Sequence, residues 1–292
     1  MDDRIVEEFA FANYPYQICQ LTQQPTDDPV VFHRDLSDWF PDDIKDIRDE
    51  RLVNLMIVDR KARDAYYNKL KQLSVVVSLS GGIDSTTVLF WAKKLFGKVY
   101  AVIFDYGQRH KIEIEKALNI AKAYSDIYVV AGMKDLKQFS NSSLTRSDID
   151  VPVHDDLTSK EIPNTFVPGR NLYFCTAVSQ FAYRENVRHI AFGFNLFDYS
   201  GYPDCRPEFV KAMREAIQIG IFNGMAIGFH APLMFMKKVE IIRLGLELGV
   251  PYEMTHSCYN GIDGGCGECD SCKFRRAAFH ELGLEDPAIK EK

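Results

Sequence analysis

Val75-Val76-Val77-Ser78-Leu79-Ser80-Gly81-Gly82-Ile83-Asp84-Ser85-Thr86-Thr87 decides the architecture of this 292-residue chain. Three consecutive β-branched residues, with no polar alternation, suit a parallel strand buried on both faces. Two glycines then allow a tight turn, and a helical pattern follows over about 84–96. A strand that turns through Gly-Gly into a helix aims the helix's free N–H groups at the turn, which makes an anion site. Ser80, Ser85 and Thr86 add hydroxyl donors. Asp84 is unusual beside an anion unless it orients the loop or holds Mg²⁺, which would bridge phosphate oxygens. No Gly-Lys-Ser/Thr is present, so this is not a Walker A loop.

Outward from this stretch the α/β alternation continues. Strands are expected at 99–104, 127–130 and 189–194, and helices at about 110–124, 170–184, 207–220 and 238–248. The region 132–165 is polar and reads as a loop-rich insertion. This order predicts a doubly wound parallel sheet. Residues 1–72 differ in kind: they hold 15 Asp/Glu against 10 Lys/Arg, out of 41 and 35 in the whole chain. We read them as an N-terminal appendage with short strands near 16–19 and 30–32 and a helical pattern from 42 to 70. The α/β domain then covers 73–292. The appendage is either a packing or dimerisation element, making a homodimer, or a surface that recognises a partner.

Cys258, Cys266, Cys269 and Cys272 are spaced C-x7-C-x2-C-x2-C. Two-residue gaps put thiolates on one metal, and four complete a tetrahedral structural Zn²⁺ site. Gly264, Gly265 and Gly267 permit the turns around the ion. An iron–sulfur cluster is the alternative that the spacing leaves open. Cys19, Cys175 and Cys205 lack partner spacing and read as apolar thiols.

Composition narrows the partners. The net charge is −6, with hydrophobic residues at 46% and charged residues at 26%. No Lys/Arg block suggests a nucleic-acid face, so nucleic acid is not expected as a partner. No apolar run approaches the roughly 20 residues that span a bilayer. The start, Met1-Asp2-Asp3-Arg4, is unlike a signal peptide. No membrane association is expected, and the chain is read as cytoplasmic.

Three further segments follow predicted strands or open helices, where ligands bind in such sheets. They are Asp105-Tyr106-Gly107-Gln108-Arg109-His110, Asn164-Thr165-Phe166-Val167-Pro168-Gly169-Arg170-Asn171, and Asp198-Tyr199-Ser200-Gly201-Tyr202-Pro203-Asp204-Cys205-Arg206. The last combines carboxylates, phenols and a guanidinium, which suits a flat heterocycle with several donors. Lys238 opens a helix, where an ammonium aimed at a departing phosphate would stabilise leaving-group charge.

Together these segments resemble the QueC, or 7-cyano-7-deazaguanine synthase, family. The likeness runs from about Val75 to Pro287 and carries seven ordered motifs: 80–87, 104–110, 164–171, 198–209, His230-Ala231-Pro232-Leu233, Lys238-Val239-Glu240-Ile241 and 258–279. It implies a pyrophosphatase-loop (PP-loop) fold and a ligase that cuts ATP between its α and β phosphates. Such enzymes adenylate the carboxylate of 7-carboxy-7-deazaguanine, let ammonia attack to give the amide, and dehydrate it with a second ATP. On this resemblance Ser80, Gly81, Gly82, Asp84, Ser85, Thr86 and Thr87 serve ATP, with Mg²⁺. Ser80, Asp84, Ser85 and Lys238 carry catalysis. Gln108, Arg109, Arg170, Asp198, Tyr199, Asp204 and Arg206 contact the small-molecule substrate.

The chain also departs from the family. Residues 1–72 are extra, His256 stands where Trp is usual, and Lys237 where a small hydroxyl residue is common. The appendage is similar to that of QueC-like proteins of antiphage defence operons. That would keep the adenylation but pass the deazaguanine to an amine of a partner protein. Two other readings are weaker. A regulator without catalysis conflicts with the complete phosphate loop. A sulfur-transferring tRNA enzyme needs a reactive Cys pair and a basic face.

Overall fold

The computed structural model describes residues 70–151, 162–195, 202–225 and 227–289. Most of the appendage, with its expected strands and helix and Cys19, lies outside them, as do Asp198 and Tyr199.

Five parallel strands form one sheet in the order β3-β2-β1-β4-β5. They are β1 (Ser74–Ser78), β2 (Lys98–Asp105), β3 (Ile127–Gly132), β4 (His189–Ala191) and β5 (Gly228–His230). The helices are α1 (Ile83–Leu95), α2 (Ile112–Tyr124), α3 (Arg170–Arg184), α4 (Pro207–Gly220), α5 (Lys238–Leu248) and α6 (Asp270–Glu281). The central strand shows why the valine run signals two buried faces. Val75, Val76 and Val77 are all 0% exposed. Val75 and Val77 join a core with Val88, Leu89, Ile120, Ile241 and Phe279, contributed by α1, α2, α5 and α6. Val76 points into a second core with Val178, Phe181, Val210 and Met213, contributed by α3 and α4. Alternate residues of one strand thus hold two helical layers.

Val75 pairs with Val99 on one side and with His189 on the other. The chain steps from β1 to β2 to β3, then returns to place β4 beside β1. This reversal opens a crevice at the carboxyl ends of β1 and β4. Gly193, just after β4, lets that crevice close tightly: a Cβ there would stand 2.9 Å from the Ser85 amide nitrogen.

Two elements were not expected from the sequence. β5 is three residues long and begins with glycine, too short to show a period of two. α6 follows the cysteine motif, and its helical pattern is broken by Arg275, which is buried. Arg275 forks onto Asp286, with Nε–Oδ2 2.5 Å and Nη2–Oδ1 2.8 Å, and also donates to Thr255 Oγ1 at 2.7 Å. β4 ends at Ala191, three residues before the expected end. The region expected to be a loop-rich insertion carries a short 3-10 helix, Lys134–Phe139. Its Ser142, Ser143 and Thr145 are buried, and Ser142 Oγ accepts the Leu144 N–H at 3.2 Å. Local side-chain bonds satisfy this backbone where a ladder does not. No helix among the described residues is long and apolar enough to cross a membrane.

His189 and His230 meet between β4 and β5, Nδ1 to Nε2 at 2.9 Å, with their rings stacked on each other and inclined to the Phe96 ring. Burial pushes the His189 pKa down to about 4 and lowers that of His230, which the neighbouring His189 lowers further. Both are therefore neutral when folded, while the unfolded chain takes up protons below about pH 6.5. Their contribution to stability is present above that pH and is lost as pH falls toward 4. For His189, between pH 7 and 5, the expected loss is about 2 kcal/mol. The melting temperature should fall over this interval and fall less in His189→Gln. Equal slopes for both proteins would refute the assignment.

Candidate active site

The Gly-Gly turn is shaped by what packs on it. Gly81 has φ +81°, and a Cβ there would come within 2.8 Å of the Ala117 backbone nitrogen on α2. Only glycine fits both demands. Gly82 is the N-cap of α1. Ser80 Oγ lies 2.9 Å from Ser85 Oγ, and the Ser80 N–H donates to Ser85 Oγ at 3.1 Å. These bonds fold the turn back over the first residues of α1, where N–H groups are free and the helix dipole favours an anion. Lys238, the first residue of α5, reaches across to Asp84 with Nζ–Oδ1 2.6 Å, joining positions 154 apart in sequence. Both side chains are largely shielded, at 15% and 22% exposure.

This loop forms one end of a cavity of about 310 Å³, the size range of small-molecule sites. Ser80, Gly82, Asp84, Ser85, Gln108, Arg170 and Lys238 line it. Its walls are aromatic: Phe104 and Phe174 stack at 4.0 Å with rings 6° apart, and Tyr106, Phe192, Phe194, Tyr202 and Tyr259 surround them.

Arg170 opens α3 within this wall. Its guanidinium lies 5.8 Å from the centre of the Tyr106 ring, and its Nε is buried without a hydrogen-bond partner among the described residues. Burial opposes its charge, and the nearby Asp204 carboxylate favours the cation. Burial likewise raises the pKa of the Tyr106 and Tyr202 phenols, so both stay protonated. Tyr202 shares a hydrogen bond of 2.6 Å with Thr165.

Several sequence candidates stand elsewhere. Gly81 backs the turn and does not line the cavity. Thr86 and Thr87 are buried within α1, where their hydroxyls donate backward to Gly82 O (2.7 Å) and Ile83 O (2.9 Å). A helical threonine bonds its own preceding turn, and Thr87 also meets Tyr252 Oη at 2.9 Å. Gln108 borders the cavity, but its amide is occupied: Nε2 donates to Phe104 O and Oε1 accepts the Tyr106 N–H, both at 3.0 Å. Arg109 points out, its Nη1 donating to Ile149 O at 3.4 Å. Asp204 lies behind the wall: Oδ2 accepts the Asn171 N–H at 3.3 Å, and its charge faces Arg170. It supports the guanidinium from outside. Arg206 is exposed and caps α4.

The structure adds residues that the sequence did not assign to the site. Glu113, in the first turn of α2, lines the cavity. A glutamate there is ordinary in sequence, since it suits the helix dipole. His256 also lines the cavity, and its backbone N–H donates to Gly81 O at 2.9 Å, tying the cysteine-rich segment to the Gly-Gly turn. Lys237, the other departure, precedes α5, where its N–H donates to Glu240 Oε2 at 2.6 Å.

The Sγ atoms of Cys258, Cys266, Cys269 and Cys272 all lie within 4.8 Å of one another. A tetrahedral Zn²⁺ with bonds of about 2.3 Å needs sulfurs roughly 3.8 Å apart, so the set fits with small adjustment. Cys266 Sγ and Cys272 Sγ are already 4.0 Å apart. The Glu268 and Cys269 N–H groups donate to Cys266 Sγ at 3.4 and 3.3 Å. Four sulfurs close the coordination sphere, so the metal would hold structure and leave no position for substrate.

The family described as Queuosine biosynthesis protein QueC matches residues 74–283. A protein of Thermoplasma acidophilum named 7-cyano-7-deazaguanine synthase is 45% identical over 226 residues, 76% of this chain and 94% of that protein. One of Trichodesmium erythraeum with the same name is 47% identical over 222 residues, 74% of this chain and all of that protein. Among solved structures, NMN synthetase from Francisella tularensis aligns at 16% identity over 81% of this chain and 85% of its own, with a TM-score of 0.38. With more than two thirds of its length matched, and relatives near 45% identity covered almost end to end, the chain belongs to the QueC family.

Proposed function

We propose that the chain is an ATP-dependent ligase that adenylates the carboxylate of 7-carboxy-7-deazaguanine and transfers it to ammonia. The amide then loses water with a second ATP, giving 7-cyano-7-deazaguanine. The observation that carries this reading is one cavity with an anion-binding turn and the Lys238–Asp84 pair at one end, and an aromatic wall holding Arg170. The names of the similar relatives agree with it.

In the first step a substrate carboxylate oxygen attacks the α-phosphorus of ATP and pyrophosphate leaves with the electron pair of the broken P–O bond. The Ser80–Ser85 turn, the free N–H groups of α1 and Lys238 stabilise the charge that develops on it. Asp84 is the carboxylate at the turn that would help hold Mg²⁺, which when bound would neutralise phosphate charge. The aromatic wall accommodates a flat heterocycle, and Arg170 offers its uncommitted Nε to substrate oxygen. Catalysis of this step is positioning and electrostatics, with no covalent nucleophile.

The test is mass spectrometry of a reaction with ATP, Mg²⁺, 7-carboxy-7-deazaguanine and ammonium. The nitrile, with AMP and pyrophosphate, is the expected product; no ATP-dependent change of the carboxylate would reject the reading. Arg170→Lys should raise the KM for the carboxylate substrate about 10- to 100-fold, because an ammonium cannot reproduce the guanidinium fork. An unchanged KM would remove Arg170 from the substrate site.

A second reading is favoured by one observation: the family match begins at residue 74, although the relatives are covered over 94% or more of their own length. The preceding segment therefore falls outside the shared enzyme. In this reading it recognises a protein whose amine takes the activated deazaguanine. An adenylate that forms but gives no nitrile with ammonium would favour this acceptor.

A further inference from the structure

Two carboxylate side chains, Asp84 and Glu113, stand in the cavity wall among the described residues. Asp84 is engaged by Lys238 at 2.6 Å. The Glu113 carboxylate makes no hydrogen bond or salt bridge with any described residue. Its position is set by the fold. The Gly81 turn packs directly on the first turn of α2, where a Cβ on Gly81 would be 3.1 Å from the Glu113 carbonyl oxygen. This puts Glu113 toward the phosphate end of the cavity, where an activated phosphoryl ester would form. Arg170 from α3 and Tyr106 from the segment after β2 flank it electrostatically, and Cys258 lies beyond. Burial raises the Glu113 pKa to about 7, with Arg170 opposing, a range suited to proton transfer at neutral pH.

We propose that Glu113 is the general base of the second half-reaction, accepting a proton from the amine nitrogen as that nitrogen joins the activated carboxyl carbon. This rests on the adenylation reading above. The nitrogen lone pair forms the C–N bond, and the carbonyl π pair moves onto oxygen. The Glu113 carboxylate takes the N–H proton, so the adduct does not expel the amine again. The oxygen pair then re-forms the carbonyl while the C–O bond to phosphate breaks and AMP leaves with its electrons. The proton on Glu113 passes to solvent. Pyrophosphate departs before any of this, so Glu113 takes no part in the first step.

The two half-reactions separate the roles. Adenylation is read as substrate-dependent exchange of labelled pyrophosphate into ATP, and transfer as amide plus nitrile formed from ammonium. Glu113→Gln keeps the shape and removes the base. Exchange should stay within about 3-fold of wild type while transfer falls about 100-fold or more. Hydroxylamine, which is far less basic than ammonia and loses its proton readily once it has added, should recover most of the transfer. Glu113→Asp, a shorter base, should fall between the two, and melting curves of both variants should match wild type. If exchange and transfer fall together, Glu113 contacts the heterocycle and the proposal is overturned; unchanged transfer overturns it as well. Wild-type protein that shows no exchange would instead reject the adenylation reading.

Discussion

Asp84→Ala is expected to slow pyrophosphate release by about 100- to 1000-fold while leaving the fold intact. That factor corresponds to about 3–4 kcal/mol at the transition state. Asp84 sits one residue inside α1, and its Oδ1 holds Lys238 Nζ at 2.6 Å from the start of α5. Removing the carboxylate takes away the ion pair that holds Lys238 Nζ beside the turn. Lys238→Ala should lose activity by a similar factor, and the double variant should lose little more, because the two side chains act as a unit. Initial rates of pyrophosphate release and matched melting curves check this. Wild-type rates in folded Asp84→Ala would withdraw the turn from the mechanism, and additive losses would show that the pair does not work together.

Cys269→Ser is expected to remove the metal and unfold the segment from Cys258 to α6. Cys269 is fully buried and caps α6. Structural zinc contributes on the order of 10 kcal/mol in small domains, more than the usual net stability of a whole protein. The damage should reach the cavity, because His256 holds Gly81 O two residues before the first sulfur ligand. ATP turnover should therefore fall together with metal content, measured by elemental analysis of purified protein. A variant with one zinc per chain and an unchanged melting temperature would contradict the four-sulfur site.

Most of the α/β frame was legible before the structure. Helices α3, α4 and α5 lie within the expected bounds, and the valine run of β1 is buried on both faces as its lack of alternation implied. The cysteine spacing and the Gly-Gly turn were legible for the same reason: each depends on residues a few positions apart. β5 and α6 were missed because their signals are weak. β5 is short, and α6 buries an arginine whose partner, Asp286, lies beyond the helix.

The candidate site divides differently. By itself the sequence determined that a Gly-Gly turn opens a helix, that a charged group at Lys238 could serve it, and that four thiols could share a metal. Only the tertiary structure decided which side chains face the cavity. It turned Thr87 into α1, Arg109 toward Ile149 and Asp204 behind Arg170, and it brought Glu113 and His256 into the wall. Turn and metal motifs are built from neighbours along the chain, so local spacing encodes them. The direction of a side chain on a helix or loop is set by which face packs against the sheet, and that depends on residues far along the chain, as Asp84 and Lys238 are, 154 positions apart.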